Sequence, residues 1–196
     1  MITPTDFAGL SSTLASDARG GQGVLAPWIT ALSPERVLIA PAHVVVAGHN
    51  DNLVVTEVIG SPPAPGHVLV VGGHGASVSS VVGDLMAREL QLAGMIGLVT
   101  DGLVRDAREI RDLGFPVWCR GKTPTASAKR EPGVRGGAVH LGGQLVREGD
   151  WIVADEDGVV CWPAGEVPEL LARAAAKQAQ DEERLARLRE REKGGR

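Results

Sequence analysis

Gly83-Asp-Leu-Met-Ala-Arg-Glu-Leu-Gln-Leu-Ala-Gly-Met-Ile-Gly-Leu-Val-Thr100 sets a helix, its stop and a buried strand side by side in 18 residues. Leu85, Met86, Glu89, Leu90 and Ala93 recur at three- and four-residue spacings, which predicts a helix over Asp84–Ala93 with Gly94 ending it. Met95 to Thr100 then reads as a strand with aliphatic side chains on both faces. The same grammar extends outward. Arg36–Ala40, His43–Ala47 and His67–Val71 are Val, Ile and Leu runs cut by Gly, Pro, Asn and Asp, and a second helix is expected from Asp106 to Leu113, before the Gly114-Phe-Pro116 break. From Gly136 the pattern turns to hairpins. Ala138–Leu141 and Gln144–Val146 flank Gly142-Gly143, and Trp151–Ala154 and Val159–Trp162 flank Asp155-Glu-Asp-Gly158. Strands alternating with helices, followed by strands alone, place the chain in the α/β class.

The chain has 196 residues, enough for one domain with its own core. Apolar residues make up 43% and charged residues 22%, which excludes a disordered or collagenous chain. With 2 Phe, 4 Trp and no Tyr, that core has to be aliphatic. Cys119 and Cys161 are too few for a disulfide framework or a zinc site, which favours a reducing, cytoplasmic setting. No apolar run approaches the ~18 residues of a spanning helix, so no membrane is expected.

The last 31 residues, from Glu166, hold 8 Lys and Arg and 7 Asp and Glu, leaving 12 basic and 17 acidic residues in the first 165. A mildly acidic body with six aromatic residues lacks both the basic stripe and the stacking platforms of a nucleic-acid binder, so nucleic acid is not expected as a ligand. The segment 166–196 is helical by composition, and 1–165 is the expected domain. Leu171, Ala175, Gln178, Glu182 and Leu185 fall along one stripe of that helix. A solvated charged helix is the ordinary reading; the sharper one is a helix that delivers a carboxylate to another subunit.

Twenty residues lie between Asp84 and Arg105-Asp106, and each half is expected just after a strand and at a helix start. Open α/β folds hold ligands there, where free backbone N–H groups attract anions. An arginine beside an aspartate offers a bidentate clamp for a carboxylate and a hard oxygen ligand for a divalent cation. As a bare pattern, the same residues also describe a helix cap and a surface ion pair.

The strings Gly83-Asp-Leu-Met-Ala87, Gly97-Leu-Val-Thr-Asp-Gly-Leu-Val-Arg-Asp106, Gly114-Phe-Pro-Val-Trp-Cys-Arg-Gly121 and Gly149-Asp-Trp-Ile-Val-Ala-Asp-Glu-Asp-Gly-Val-Val160 resemble the RraA-like family. Ser11–Asp17 and Asp51-Asn52-Leu53 are also similar, so the resemblance runs to about Pro163. That family includes the 4-hydroxy-4-methyl-2-oxoglutarate / 4-carboxy-4-hydroxy-2-oxoadipate aldolases. The resemblance implies a three-layer β/β/α swivelling-type single domain with a C-terminal helix, assembled as a homotrimer or hexamer with sites between subunits. The aldolase branch carries Asp-X20-Arg-Asp, matched at Asp84, Arg105 and Asp106. By that likeness Asp106 would bind Mg²⁺, Mn²⁺ or another divalent cation directly, Arg105 would hold the pyruvyl group, and Asp84 would act through water on the metal. Backbone N–H groups of Gly83, Asp84, Leu85 and Met86 would hold the substrate carboxylate. Glu182 is the candidate for the carboxylate that the family draws from a neighbouring subunit, with Asp181 and Glu183 as alternatives.

The implied reaction is retro-aldol cleavage of a 4-hydroxy-2-oxo acid to pyruvate, with oxaloacetate decarboxylation as a side activity, since both pass through the pyruvate enolate. Residues of these types suit it: an enolate needs fixed positive charge as it forms. Lys122, Lys129, Lys177 and Lys193 are expected in loops or the tail, which disfavours a lysine Schiff base. The competing class is a non-catalytic regulator of the RraA type that binds ribonuclease E or a helicase. A third, a quinone-precursor methyltransferase, finds no glycine-rich cofactor loop in this chain. The histidines show no ligand spacing; His74, among glycines, only faintly resembles a phosphohistidine loop. Asp155–Gly158 is too short for a calcium loop and reads as a hairpin turn.

Overall fold

The computed structural model describes residues 4–194. Its strands are β1 (Thr30–Ala31), β2 (Leu38–Val46), β3 (Val68–Gly72), β4 (Ser80–Val82), β5 (Gly97–Thr100), β6 (Leu103–Val104), β7 (Val117–Cys119), β8 (Gly121–Lys122), β9 (Val134–Arg135), β10 (Ala138–Leu141), β11 (Gln144–Arg147), β12 (Trp151–Ala154) and β13 (Val159–Trp162). Its helices are α1 (Ser12–Ala18), α2 (Leu53–Gly60), α3 (Asp84–Leu92), α4 (Ala107–Leu113) and α5 (Val167–Gly194).

The aliphatic runs form the middle of an eight-stranded sheet ordered β1-β7-β5-β3-β2-β12-β13, with β9 also on β2. Pairs among β2, β3, β5 and β7 are parallel, and the flanking strands are antiparallel. Both faces of the centre are buried, which is why β3 reads as an unbroken apolar run. Leu69 and Val71 face the cluster built by α2, α3 and α4, while Val68 and Val70 face the β10–β11 hairpin. Hairpin, sheet and helices are thus the three layers, β/β/α. Parallel strands added in one direction with same-handed crossovers put all three connecting helices on one face.

The structure joins the two expected strands Arg36–Ala40 and His43–Ala47 into one, β2, running through Pro41. Over Leu38–Pro41 it pairs with β12, and over Ala42–Val46 it pairs with β3 on the other side. Proline has no N–H to give a ladder, and it sits where one partner is being exchanged for the other. The second helix begins at Ala107, one residue later than expected, because Asp106 is in the left-handed region with φ 54°. Gly142 and Gly143 both take positive φ, 53° and 80°, as the tight hairpin turn between β10 and β11 requires.

Among the described residues helix α5 is anchored through its first part, as far as the Lys177–Asp17 ion pair at 3.5 Å. Val167, Leu170 and Ala174 pack with Phe7, Ala15, Val153 and Trp162, and the indole N–H of Trp162 donates to the Ala15 carbonyl at 3.0 Å. The buried stripe therefore lies one position round from the expected Leu171–Leu185 stripe, and side chains 182–193 are all exposed. Among the described residues no helix is long and apolar enough to cross a membrane. Both cysteines are buried and unpaired. Burial, with the neighbouring Asp150 carboxylate, pushes the Cys161 thiol up to about 12, so it stays protonated and behaves as a small core residue.

Candidate functional site

Three short strands that the pattern reading missed place the site. β4, β6 and β8 form a separate parallel sheet, with Ser80 beside Leu103 and Val82 beside Val104. β4 leads through Gly83 into α3, and β6 leads through Arg105 and Asp106 into α4. The 20-residue spacing is therefore one crossover between neighbouring parallel strands, whose carboxyl ends lie together. The Arg105 N–H donates to the Val82 carbonyl at 3.1 Å, and the Asp84 N–H reaches Asp106 Oδ2 at 3.5 Å.

Gly83 caps α3 without a side chain. The first helical bond runs from the Ala87 N–H to the Gly83 carbonyl at 3.0 Å, so the N–H groups of Asp84, Leu85 and Met86 lie ahead of the ladder. A Cβ on Gly83 would stand 2.6 Å from Asp106 Oδ2 and 2.8 Å from Arg105 Nε. That closeness is what the glycine permits. Asp106 pairs with Arg105 at 3.1 Å, and its backbone is left-handed, a conformation that aspartate adopts more readily than most residues, for which it costs about 1–2 kcal/mol.

A cavity of about 220 Å³ opens here, and Gly83, Leu85, Met86, Arg105, Asn52 and Lys129 are among the residues that border it. This is smaller than drug-sized pockets and suits a small metabolite. On the other side of Arg105 lies a more open cavity of about 400 Å³, bordered by Asp106, Lys122 and Thr123. The arginine is shared by both. Asp84 borders neither cavity with its side chain and contributes its N–H.

Glu182 is not among the residues bordering either cavity; it is exposed on α5 and accepts from Gln178 Nε2 at 3.1 Å. Asp181 pairs with Lys177 and Glu183 with Arg187. The sequence reading set Lys129 and Lys122 aside as loop residues. The structure puts Lys129 on the loop that borders the first cavity and Lys122 on β8 at the second. Asn52 was noticed only as part of a motif; it is 5% exposed, donates to the Val81 carbonyl at 2.7 Å, and its Oδ1 has no partner among the described residues. A polar residue just ahead of an aliphatic run was the only available signal.

Loops at the ends of β2, β3 and β5 brace this corner through two buried aspartates. Asp101 accepts the His74 N–H at 3.0 Å; burial pushes its carboxyl up, against the pull of the backbone N–H groups of His74, Gly75 and Gly73. Burial also pushes Asp51 up, but backbone N–H groups of Leu53, Arg130 and Glu131 and the nearby His74 outweigh it, holding the carboxyl below its ordinary value. His74 is fully buried and its Nε2 donates to the Asp51 carbonyl at 2.7 Å. A bracing histidine, not an accessible phosphate carrier, is what that loop contains.

Fold and site together define a three-layer β/β/α swivelling-type domain with a small polar cavity at the ends of two parallel strands. The chain belongs to the RraA-like family: the aldolase/RraA family model matches residues 12–161. A relative from Halalkalibacterium halodurans, named "Putative 4-hydroxy-4-methyl-2-oxoglutarate aldolase", is 36% identical over 92% of this chain and 85% of its own. Among solved structures, Streptomyces coelicolor RraAS2, described as an unusual member of the RNase ES inhibitor RraA family, is 30% identical. It superposes with a TM-score of 0.80 over 94% of this chain and 96% of its own. A Geobacillus kaustophilus protein described as an S-adenosylmethionine:2-dimethylmenaquinone methyltransferase is 28% identical, with a TM-score of 0.71 over 79% and 95%.

Proposed function

We propose that the chain is a divalent-metal-dependent aldolase that cleaves a 4-hydroxy-2-oxo acid, of the 4-hydroxy-4-methyl-2-oxoglutarate type, to pyruvate. One observation carries the reading: Arg105 and Asp106 stand against the open N-terminus of α3, where Arg105 borders both the metabolite-sized cavity and the more open one that Asp106 borders. The substrate's C1 carboxylate is held by the N–H groups of Leu85 and Met86 and by Arg105. Lys129 offers a second cation to the same acid. As the C3–C4 bond breaks, its electrons move to the 2-oxo oxygen, and the fixed guanidinium of Arg105 stabilises the charge that develops.

The donor suits a hard cation that keeps water and substrate oxygens in its shell, because the Asp106 carboxylate borders the more open cavity with no histidine or cysteine among the described residues that line it. Asp106 would hold Mg²⁺ or Mn²⁺, and the bound cation would polarise the 2-oxo group. By the family likeness the Asp84 carboxylate, turned toward Asp106, would orient the water that takes the C4 hydroxyl proton, and a proton returned to C3 of the enolate completes the pyruvate. In an assembly of three or six copies, the exposed distal part of α5 would bring Glu182 to a neighbour's site for the same proton. Decarboxylation of oxaloacetate follows from the same enolate.

Pyruvate release from 4-hydroxy-4-methyl-2-oxoglutarate tests the reading. Two pyruvates per substrate with Mg²⁺, and none after chelation, are expected; cleavage that survives chelation overturns the metal, and no cleavage of any such acid overturns the aldolase. The likeness to RraAS2 supports a second reading, a regulator that binds a ribonuclease or helicase. Inhibition of ribonuclease E by a protein with no lyase activity would favour it.

A further inference from the structure

We propose that Asp51 is a positioning residue for this site: its carboxylate pins the loop that carries Lys129 to the helix start that carries Asn52, and so holds the lysine at the cavity's edge. The inference rests on reading the cavity as a site for a small acid.

The loop in question, residues 123–133, joins β8 to β9 without regular structure. An irregular segment is placed by what it is tied to. On the near side of Lys129, the Ser80 N–H donates to the Thr125 carbonyl at 2.9 Å, and Ser127 Oγ donates to the Ser80 carbonyl at 2.8 Å. The Ala128 N–H donates to the Asn50 carbonyl at 2.9 Å, and the Asn52 N–H returns to the Ala128 carbonyl at 3.0 Å. On the far side, the tie is Asp51. Its Oδ2 accepts the Arg130 N–H at 2.7 Å and the Glu131 N–H at 3.2 Å, while Oδ1 accepts the Leu53 N–H at 2.9 Å.

Asp51 is 2% exposed and its own carbonyl is held by His74. Only a carboxylate can serve both sides at once. An amide at this position turns its NH₂ toward either the Leu53 N–H or the two loop N–H groups, and that side is released. Release of the loop side frees Lys129; release of the other side frees the first turn of α2 beside Asn52. Either way, the two groups that flank Arg105 in the cavity lose their fixed separation.

The test uses oxalate, a planar dianion, as probe in magnesium buffer, with binding measured by calorimetry on the full chain and melting followed in parallel. Lys129→Met and Asp51→Asn are each expected to weaken oxalate about tenfold, the loss of one charge-assisted hydrogen bond. The double variant is expected to bind no more weakly than Lys129→Met alone, because Asp51 acts through the lysine. Should Asp51→Asn fail to fold, Arg130→Pro removes the 2.7 Å donor while leaving Asp51 and α2 in place, and the same coupling is expected. The proposal is overturned if the losses multiply, if Asp51→Asn and Arg130→Pro bind like the wild type while melting lower, or if the wild type binds no oxalate. A wild type that shows the coupling yet releases no pyruvate removes the aldolase reading and leaves the role of Asp51 standing.

Discussion

Replacing Asp106 with alanine is expected to lower pyruvate release by about 10²–10³-fold, the scale of losing one preorganised group that faces developing charge. The carboxylate has two visible duties: it holds Arg105 Nε at 3.1 Å and it reaches the Asp84 N–H at 3.5 Å. In the proposed mechanism it has a third, as the cation's direct ligand. Alanine also tolerates the left-handed backbone at 106 less well than aspartate does, at about 1–2 kcal/mol. Asp106→Asn separates the two effects, since asparagine adopts that conformation and keeps the shape. The asparagine variant is expected to melt near the wild type and still lose most of its kcat. Steady-state pyruvate production with a melting curve for each variant decides it, and an asparagine variant of wild-type kcat would show that the charge is not needed.

Gly83→Ala is expected to cost about 10²-fold in kcat while leaving the fold nearly intact. Backbone strain is not involved, because Gly83 has φ −118°, which any residue adopts. The new methyl group would meet Asp106 Oδ2 at 2.6 Å and Arg105 Nε at 2.8 Å, both of them side-chain atoms that can move. They would move away from α3, carrying the guanidinium and the carboxylate off the line of the free N–H groups. Stability should change by no more than about 1 kcal/mol, the range of an N-cap substitution. Wild-type kcat in this variant would mean that the closeness of the pair to α3 has no catalytic consequence.

The layers of the fold were legible because they depend on long aliphatic runs. Residues 84–93 carry a helical period and 67–71 and 95–100 are short aliphatic runs, enough to name each element, and the glycines at 94, 142 and 143 mark the ends and turns between them. Elements of two or three residues carry no period, so the small sheet of β4, β6 and β8 was invisible, although it positions the site. Helix α2 was missed as well, since Val54, Val55, Thr56, Val58 and Ile59 are β-branched and give the segment no helical signature. That Arg105 and Asp106 would meet the start of α3 was expected, because each half of the motif reads as standing just after a strand and at a helix start. Lys129 and Asn52 did not, because their meeting depends on a long-range tie through Asp51 that leaves no local trace. The tail stripe shows a different limit: helical spacing was right, but which face is buried depends on α1, Val153 and Trp162, far away in sequence.

The central claim is that this site forms the enolate of pyruvate at Arg105, and it can be tested without knowing the preferred oxo acid. Pyruvate is incubated with the protein and Mg²⁺ in D₂O, and its methyl signal is followed by proton NMR. Loss of the methyl protons to deuterium is expected for the wild type and not for Arg105→Ala or after chelation. A wild type that exchanges no faster than buffer, or an Arg105→Ala variant that exchanges as fast as the wild type, would contradict it.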